Sequence, residues 1–99
     1  MSKKIQTPTI GEIIREEFLE ILEITPYRLS KELNVSTSTI LDILNGKRNL
    51  SIEMSLKLSR YFGTSEKFWI NLQSDIDVRN KRRELKRALD KIHPVSRIA

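Results

Sequence analysis

The chain has 99 residues, 38% of them hydrophobic, with no cysteine, one histidine and a formal net charge of +5. This length and composition predict one domain with a modest core. The absence of cysteine excludes disulfides and thiolate zinc sites, and a single histidine excludes a multi-histidine metal site. No apolar run approaches the length of ~20 residues that spans a bilayer, and the first residues lack the apolar region of a signal peptide. We therefore expect a soluble cytoplasmic protein without a cofactor, a metal or a membrane partner.

The positive charge is concentrated toward the C-terminal end. Residues 79–99 contain eight Lys and Arg against two Asp and Glu, whereas residues 1–78 contain ten against eleven. The composition divides the chain into a flexible N-terminus at 1–8, a near-neutral domain at 9–78 and a basic extension at 79–99. DNA binding by the domain would therefore depend on where its cations lie, and not on its net charge.

The first helix is predicted to begin after Thr9, because Thr9 and Glu12 have the spacing of a capping box. An apolar stripe at helical spacing follows, formed by Ile10, Ile14, Phe18 and Leu22, with Ile13 and Ile21 on its flanks. The glutamates between these positions are interpreted as a solvated face, because no histidine lies nearby to complete a carboxylate site.

Residues 26–44 contain two short amphipathic helices separated by a tight break. Thr25 is a good N-cap for the first helix, and the proline after it suits the first helical position. Asn34 can adopt the left-handed conformation that ends a helix, and Ser36 offers the N-cap of the next. The pattern predicts a helix-turn-helix unit, whose second helix can lie in the major groove of DNA.

The second of these helices buries an apolar stripe and presents four residues outward. We predict that these contact base edges: Thr37, Ser38, Leu41 and Asp42. Hydroxyls can donate or accept there, a threonine methyl can meet a thymine methyl, and a carboxylate can accept from cytosine N4. Positive partial charge at the helix N-terminus also favours a nearby phosphate, which Thr39 is placed to contact. The alternative is that Thr37 to Thr39 are capping hydroxyls only.

A polar turn follows this helix. Gly46 permits positive φ just beyond the helix end. The N–H groups, amides and cations of the turn can hold a phosphate, and its candidate residues are Asn45, Lys47, Arg48 and Asn49. Arg48 offers a forked geometry to phosphate that Lys47 lacks.

Two further helices close the predicted domain. The fourth opens at Ser51 and carries an apolar face at helical spacing: Met54, Leu58, Tyr61 and Phe62, extended by Ile52 and Leu56. The fifth begins near Ser65 and carries a second apolar face: Phe68, Trp69, Leu72 and Ile76. Two adjacent aromatics cannot share one orientation, so we expect one in the core and the other free for a partner. The alternative is an aromatic core within one chain.

The basic extension has apolar residues at the spacing of a short amphipathic helix: Leu85, Ala88, Leu89 and Ile92. Three interpretations remain open for it. It binds a toxin partner, it clamps DNA, or it is a solvated extension of a dimer.

Three segments carry a family resemblance: GEIIREEF at 11–18, ILNGKRNLS at 43–51 and YFGTSEKFWINLQ at 61–73. The run from Leu29 to Arg48 resembles the Xre/Cro class of phage-type repressors. The longer stretch, residues 7 to 78, resembles one branch of that class, the HigA-type antitoxins of bacterial toxin–antitoxin modules, also known as virulence-associated protein I. The resemblance implies an all-α fold, a five-helix lambda-repressor-like helix-turn-helix domain, here followed by the basic and helical extension.

The resemblance also implies roles for particular residues. In the class, the start of the second helix contacts the DNA backbone. Arg28 is the best match to that role here, and the Tyr27 hydroxyl can donate to a phosphate. For Tyr27 the alternative is partial packing against the first helix. The turn at 45–49 grips the backbone beside the recognition helix. The fifth helix contributes to a homodimer, which gives Phe68, Trp69, Leu72 and Ile76 as interface candidates.

The function implied is a non-enzymatic antitoxin. It would bind the operator of its own operon as a homodimer, repress transcription and neutralise a HigB-type mRNA-cleaving toxin. The alternative is a stand-alone helix-turn-helix repressor with no toxin partner. An enzyme is not expected, because the sequence has no nucleophile–base arrangement, no phosphate-binding glycine loop and no credible carboxylate pair.

Overall fold

The computed structural model describes residues 7–95, and the regular structure within that range is entirely helical. The helices are α1 (residues 10–22), α2 (Pro26–Leu33), α3 (Thr37–Leu44), α4 (Ile52–Phe62), α5 (Phe68–Glu84) and α6 (Lys86–Asp90). The predicted all-α class is confirmed, with five helices in the expected order and the sixth in the basic extension. Residues 1–6 of the predicted flexible N-terminus, and 96–99 of the extension, lie outside the described residues.

Hydroxyl side chains begin the first four helices. In each case the hydroxyl oxygen accepts the backbone N–H three residues on, which satisfies a donor that the helix itself leaves unpaired. The pairs are Thr9 with Glu12, Thr25 with Arg28, Ser36 with Thr39, and Ser51 with Met54. Glu12 also returns a bond to the Thr9 N–H, so the predicted capping box is confirmed.

Left-handed residues end the same four helices. They are Glu23, Asn34, Gly46 and Gly63. After each, the next N–H bonds the carbonyl five residues back, as from Val35 to Ser30 at 3.0 Å. These bonds turn the chain sharply, and the turn at Asn34 leaves only three residues between the end of α2 and the start of α3.

The inner face of α1 differs from the predicted stripe. Residues 14–19 are π-helical, and the N–H of Glu20 bonds the Arg15 carbonyl five residues back. The wider turn rotates the following residues, so that Leu19 is buried and Leu22 is 52% exposed. The prediction was therefore wrong for Leu22, and for Ile21, which is also exposed.

Side chains from all five helices α1 through α5 form one core, which includes Trp69, a residue with no exposed surface. Its ring lies 4.9 Å from the ring of Phe18 and 5.9 Å from that of Phe62, measured between centroids. On α4, by contrast, Ile52 and Leu56 are exposed, so the predicted extension of its apolar face was wrong.

Helix α5 runs back along α4. Trp69 near its start packs against Phe62 at the end of α4, and Gln73 bonds Leu50, which precedes α4. The helix begins at Phe68, three residues later than predicted, and continues through residues 78 and 79 without a break. Every described residue after Ile76 is exposed. Within residues 7–95, no helix has both the length and the apolar character needed to cross a membrane.

Candidate nucleic-acid interface

Four residues of α3 form one strip on its outer side, which we call the reading face: Thr37, Ser38, Leu41 and Asp42. Ser38 and Leu41 are exposed, and the other two are half-buried. The opposite side of the helix is buried in the core through Ile40, Ile43 and Leu44. The fold therefore brings the predicted base-contacting residues together on accessible surface.

Hydroxyl groups form a connected set at the start of α3. The Ser36 oxygen lies 2.8 Å from the Thr39 oxygen and 3.4 Å from that of Ser38. The Thr37 oxygen lies 3.0 Å from the hydroxyl of buried Ser30 on α2. Thr37 and Thr39 are thus held by protein groups, while the longer contact leaves the exposed Ser38 hydroxyl the freest of the three.

The residues at 45–49, here called the cationic turn, follow α3 directly. Asn45, Lys47, Arg48 and Asn49 are all exposed. Gly46 has a φ of 80°, and the Lys47 N–H bonds the Asp42 carbonyl at 2.8 Å. These backbone features direct the chain out of α3. The polar side chains of the cationic turn then face solvent.

Both ends of the cationic turn are tied to other helices. At its start, Arg15 on α1 donates from Nη2 to Asn45 Oδ1 at 3.5 Å. Beyond its end, the Leu50 N–H donates to Oε1 of buried Gln73 at 3.0 Å, and Gln73 Nε2 donates to Asp77 Oδ1 at 3.1 Å. The shorter bond from α5 therefore positions the end of the turn, while the exposed contact from α1 is long for a hydrogen bond.

The start of α2 lies beside the reading face, because Ser30 also donates to the Tyr27 carbonyl at 2.7 Å. Tyr27 is 60% exposed, so most of its side chain is accessible to a phosphate. Lys31 Nζ stands 5.1 Å from its ring centroid. Arg28 pairs with Glu32 at 3.3 Å, an exposed contact that contributes little and leaves the guanidinium accessible.

The axis of α3 is set by a close approach of α1. Gly11 is buried, and a Cβ added there would stand 2.5 Å from the Ile43 carbonyl oxygen and closer still to that of Leu44. No side chain fits in that space, so only glycine lets the start of α1 rest on the end of α3.

Three positioning residues had not been identified as functional from the sequence: Gly11, Ser30 and Gln73. Ser30 follows Leu29 on the inner side of α2, and Gln73 follows Leu72 on that of α5. A polar residue inside an apolar stripe was the available signal, but its partner was not visible. Within residues 7–95, no group of three or more His, Asp and Glu side chains is placed to hold a metal.

The predicted dimer residues divide into two kinds. Phe68 is 39% exposed and Leu72 is half-buried, so both have surface for a partner. Trp69 has none and Ile76 has only 7% of its surface exposed, because both side chains fill the core. The prediction that these two residues contact a partner subunit is corrected, because their side chains pack in the core and have almost no surface for a partner.

Comparisons with known proteins place these features in a family. The helix-turn-helix family model matches residues 16–69. An uncharacterised helix-turn-helix transcriptional regulator of Haemophilus influenzae is 40% identical over 70 residues, which cover 71% of this chain and 65% of that protein. Virulence-associated protein I of Dichelobacter nodosus is 35% identical over 95 residues, which cover 94% and 87%.

Solved structures agree with the sequence matches. The Pseudomonas aeruginosa antitoxin HigA, solved with the higBA promoter, superposes with a TM-score of 0.83 at 37% identity, covering 89% of this chain and 97% of that one. This chain therefore belongs to the helix-turn-helix family, in the branch of the HigA-type antitoxins and virulence-associated protein I.

Proposed function

We propose that this protein is an antitoxin that binds the operator of its own operon as a homodimer, represses transcription and neutralises a HigB-type mRNA-cleaving toxin. The observation that carries the DNA-binding part is the accessible reading face beside a cationic turn that is anchored to α5 through Leu50 and Gln73. The toxin-binding part rests on the kinship with HigA. The protein would act in the cytoplasm, by binding and not by catalysis.

The reading face would lie in the major groove. Ser38 and Thr37 hydroxyls would meet base edges, the Leu41 side chain would pack on a thymine methyl, and the Asp42 carboxylate would accept from cytosine N4. Single contacts of this kind discriminate modestly, so DNA shape and half-site spacing would add to specificity.

Backbone contacts would flank the groove on both sides. On one side are the residues of the cationic turn: Asn45, Lys47, Arg48 and Asn49. On the other are Tyr27 and Arg28, with Thr39 at the start of α3. Contacts to phosphate fix orientation and register without reading sequence.

A homodimer would place two reading faces on two half-sites. Half-sites recognised by such dimers lie about 34 Å apart, one turn of the duplex. Phe68 and Leu72 supply exposed apolar surface on α5 for the subunit contact. The basic extension keeps its three interpretations, as a toxin-binding, DNA-clamping or solvated segment.

Titrations with promoter DNA test the proposal. We expect Arg48→Ala to weaken binding to the upstream promoter duplex and to a scrambled duplex by a similar factor, about tenfold. The slope of log affinity against log salt should shrink by about 0.9 for each lost phosphate contact. Ser38→Ala should instead change the ratio between the two duplexes.

Arg60→Ala is the matched control. Arg60 is an exposed arginine in the last turn of α4, at the opposite end of that helix from the cationic turn. It should bind both duplexes as the unmodified protein does. If Arg48→Ala and Ser38→Ala also behave that way, the docking of α3 is wrong.

A stand-alone repressor without a toxin is the second candidate, since the Haemophilus influenzae relative is described as a transcriptional regulator. Co-expression with a toxin-sized neighbouring reading frame separates the two. Co-purification of its product supports the antitoxin, and its absence from the purified protein supports the stand-alone regulator.

A further inference from the structure

We infer that buried Ser30 makes the Thr37 hydroxyl a hydrogen-bond acceptor only, so that this hydroxyl selects a base bearing an exocyclic amino group in the major groove, adenine or cytosine. The inference rests on the proposed function, since it concerns how the reading face distinguishes bases. Ser30 would then be a positioning residue that acts on DNA through Thr37.

The geometry joins three groups across the two helices. Ser30 is 1% exposed, so water does not satisfy its hydroxyl. Its oxygen lies 2.7 Å from the Tyr27 carbonyl oxygen and 3.0 Å from the Thr37 hydroxyl oxygen. Both separations fall within the usual range for hydrogen bonds between oxygens.

Counting protons fixes the direction of these bonds. A carbonyl oxygen can only accept, so the single Ser30 proton is donated to Tyr27. The contact between Ser30 and Thr37 must then use the proton of Thr37. Because a threonine hydroxyl has one proton, its oxygen keeps only lone pairs for a further partner.

An acceptor discriminates among base edges. In the major groove, adenine N6 and cytosine N4 present donors, whereas guanine N7 and O6 and thymine O4 present acceptors. The Thr37 oxygen can therefore accept a hydrogen bond from adenine or cytosine. At guanine or thymine it would face another acceptor, and the two lone pairs would repel each other. Ser38 differs, because its only protein contact of this kind is 3.4 Å long and its exposed hydroxyl can reorient to donate or accept.

Selection from randomised duplexes tests this assignment. The unmodified protein should select adenine or cytosine at one position of each half-site. Ser30→Ala frees the Thr37 proton, so guanine or thymine should become acceptable there and the preference should fall by about fivefold. Preferences at the other positions should not change.

Ser59→Ala is the matched control. Ser59 is also buried and its hydroxyl also bonds the carbonyl three residues back, that of Leu56, but it lies on α4 and this bond does not involve the reading face. It should select the same sites as the unmodified protein. Thermal melts of both variants check that each is folded.

Altered DNA tests the same bond without altering Ser30. The selected adenine is replaced by purine, or the selected cytosine by the pyrimidinone that lacks the 4-amino group. The unmodified protein should lose about fivefold in affinity, and Thr37→Val should lose nothing further. An unchanged preference in Ser30→Ala, or an equal loss on the altered duplex with Thr37→Val, overturns the inference. If the unmodified protein selects no sequence at all, it is the proposed function that fails.

Discussion

Residues 10–76 and residues 77–95 are both helical, but different interactions hold them. The first stretch supplies every buried side chain among the described residues, and the second supplies none, although α5 runs through both. The second stretch has local pairs such as Lys81 with Glu84 at 2.7 Å and Lys86 with Asp90 at 3.2 Å, and an exposed 3.5 Å contact from Arg83 Nη2 to Thr7 Oγ1. The hydrogen bond to Glu84 and the charge of that carboxylate raise the pKa of Lys81 above its ordinary value.

The part of the protein that positions the reading face is thus not the part that carries most of the net positive charge. The packed stretch carries nearly balanced charge and fixes the reading face and cationic turn, while most of the net positive charge lies in the basic extension. Tertiary packing supplies most helical stability in proteins, and exposed ion pairs supply little. Substitutions in the packed stretch should therefore change the free energy of unfolding, whereas substitutions in the second stretch should leave it nearly unchanged.

The largest effect is expected at Gly11. Gly11→Ala places a Cβ against two backbone carbonyl groups of α3. Backbone atoms cannot move aside as the end of a flexible side chain could, so the clash remains. We expect a loss of about 3 kcal/mol in the free energy of unfolding, measured by urea titration with the fluorescence of Trp69. Ala88→Gly is the reciprocal change in exposed α6 and should leave the same transition unchanged. Equal stability of Gly11→Ala and the unmodified protein would contradict the close approach of α1 to α3.

A smaller effect is expected at Gln73, where the two stretches meet. Gln73→Met removes the acceptor of the Leu50 N–H, and we expect a loss of about 1 to 2 kcal/mol in the free energy of unfolding. Amide exchange at Leu50 should accelerate, and promoter affinity should fall because the cationic turn loses its anchor.

Asp77→Asn is the control, because it removes the charge beside Gln73 and keeps both hydrogen bonds of Gln73. Its amide oxygen can still accept from Gln73 Nε2, so exchange at Leu50 should remain slow. If exchange at Leu50 is equally slow in Gln73→Met, the turn is held by something other than α5.

Local chemistry made much of the fold predictable. A cap and its partner lie three residues apart, and a left-handed helix end depends on one residue and its nearest carbonyls. For that reason Thr9, Ser36 and Asn34 could be assigned correctly from the sequence. Glu23 was not anticipated as a left-handed residue, because glutamate has no intrinsic preference for that conformation.

Long-range contacts were not predictable in the same way. The π-helical turn of α1 buries Leu19, five residues after Ile14, and the spacing of the apolar residues does not reveal this shift. Ser30 and Gln73 bond partners 7 and 23 residues away, which only the assembled fold brings near. The reading face was predictable because it is the outward remainder of a short amphipathic helix, whereas the groups that orient it were not.

The smallest effect on folding is expected in the basic extension. Arg79→Gln, Arg82→Gln and Arg83→Gln combined remove three exposed cations, and we expect the free energy of unfolding to change by no more than about 0.5 kcal/mol. A larger loss in the urea titration would mean that this stretch packs against the domain. With folding unchanged, binding separates the three interpretations. A lower salt slope on promoter DNA indicates clamping, a loss of toxin co-purification indicates a toxin contact, and no change in either indicates a solvated extension.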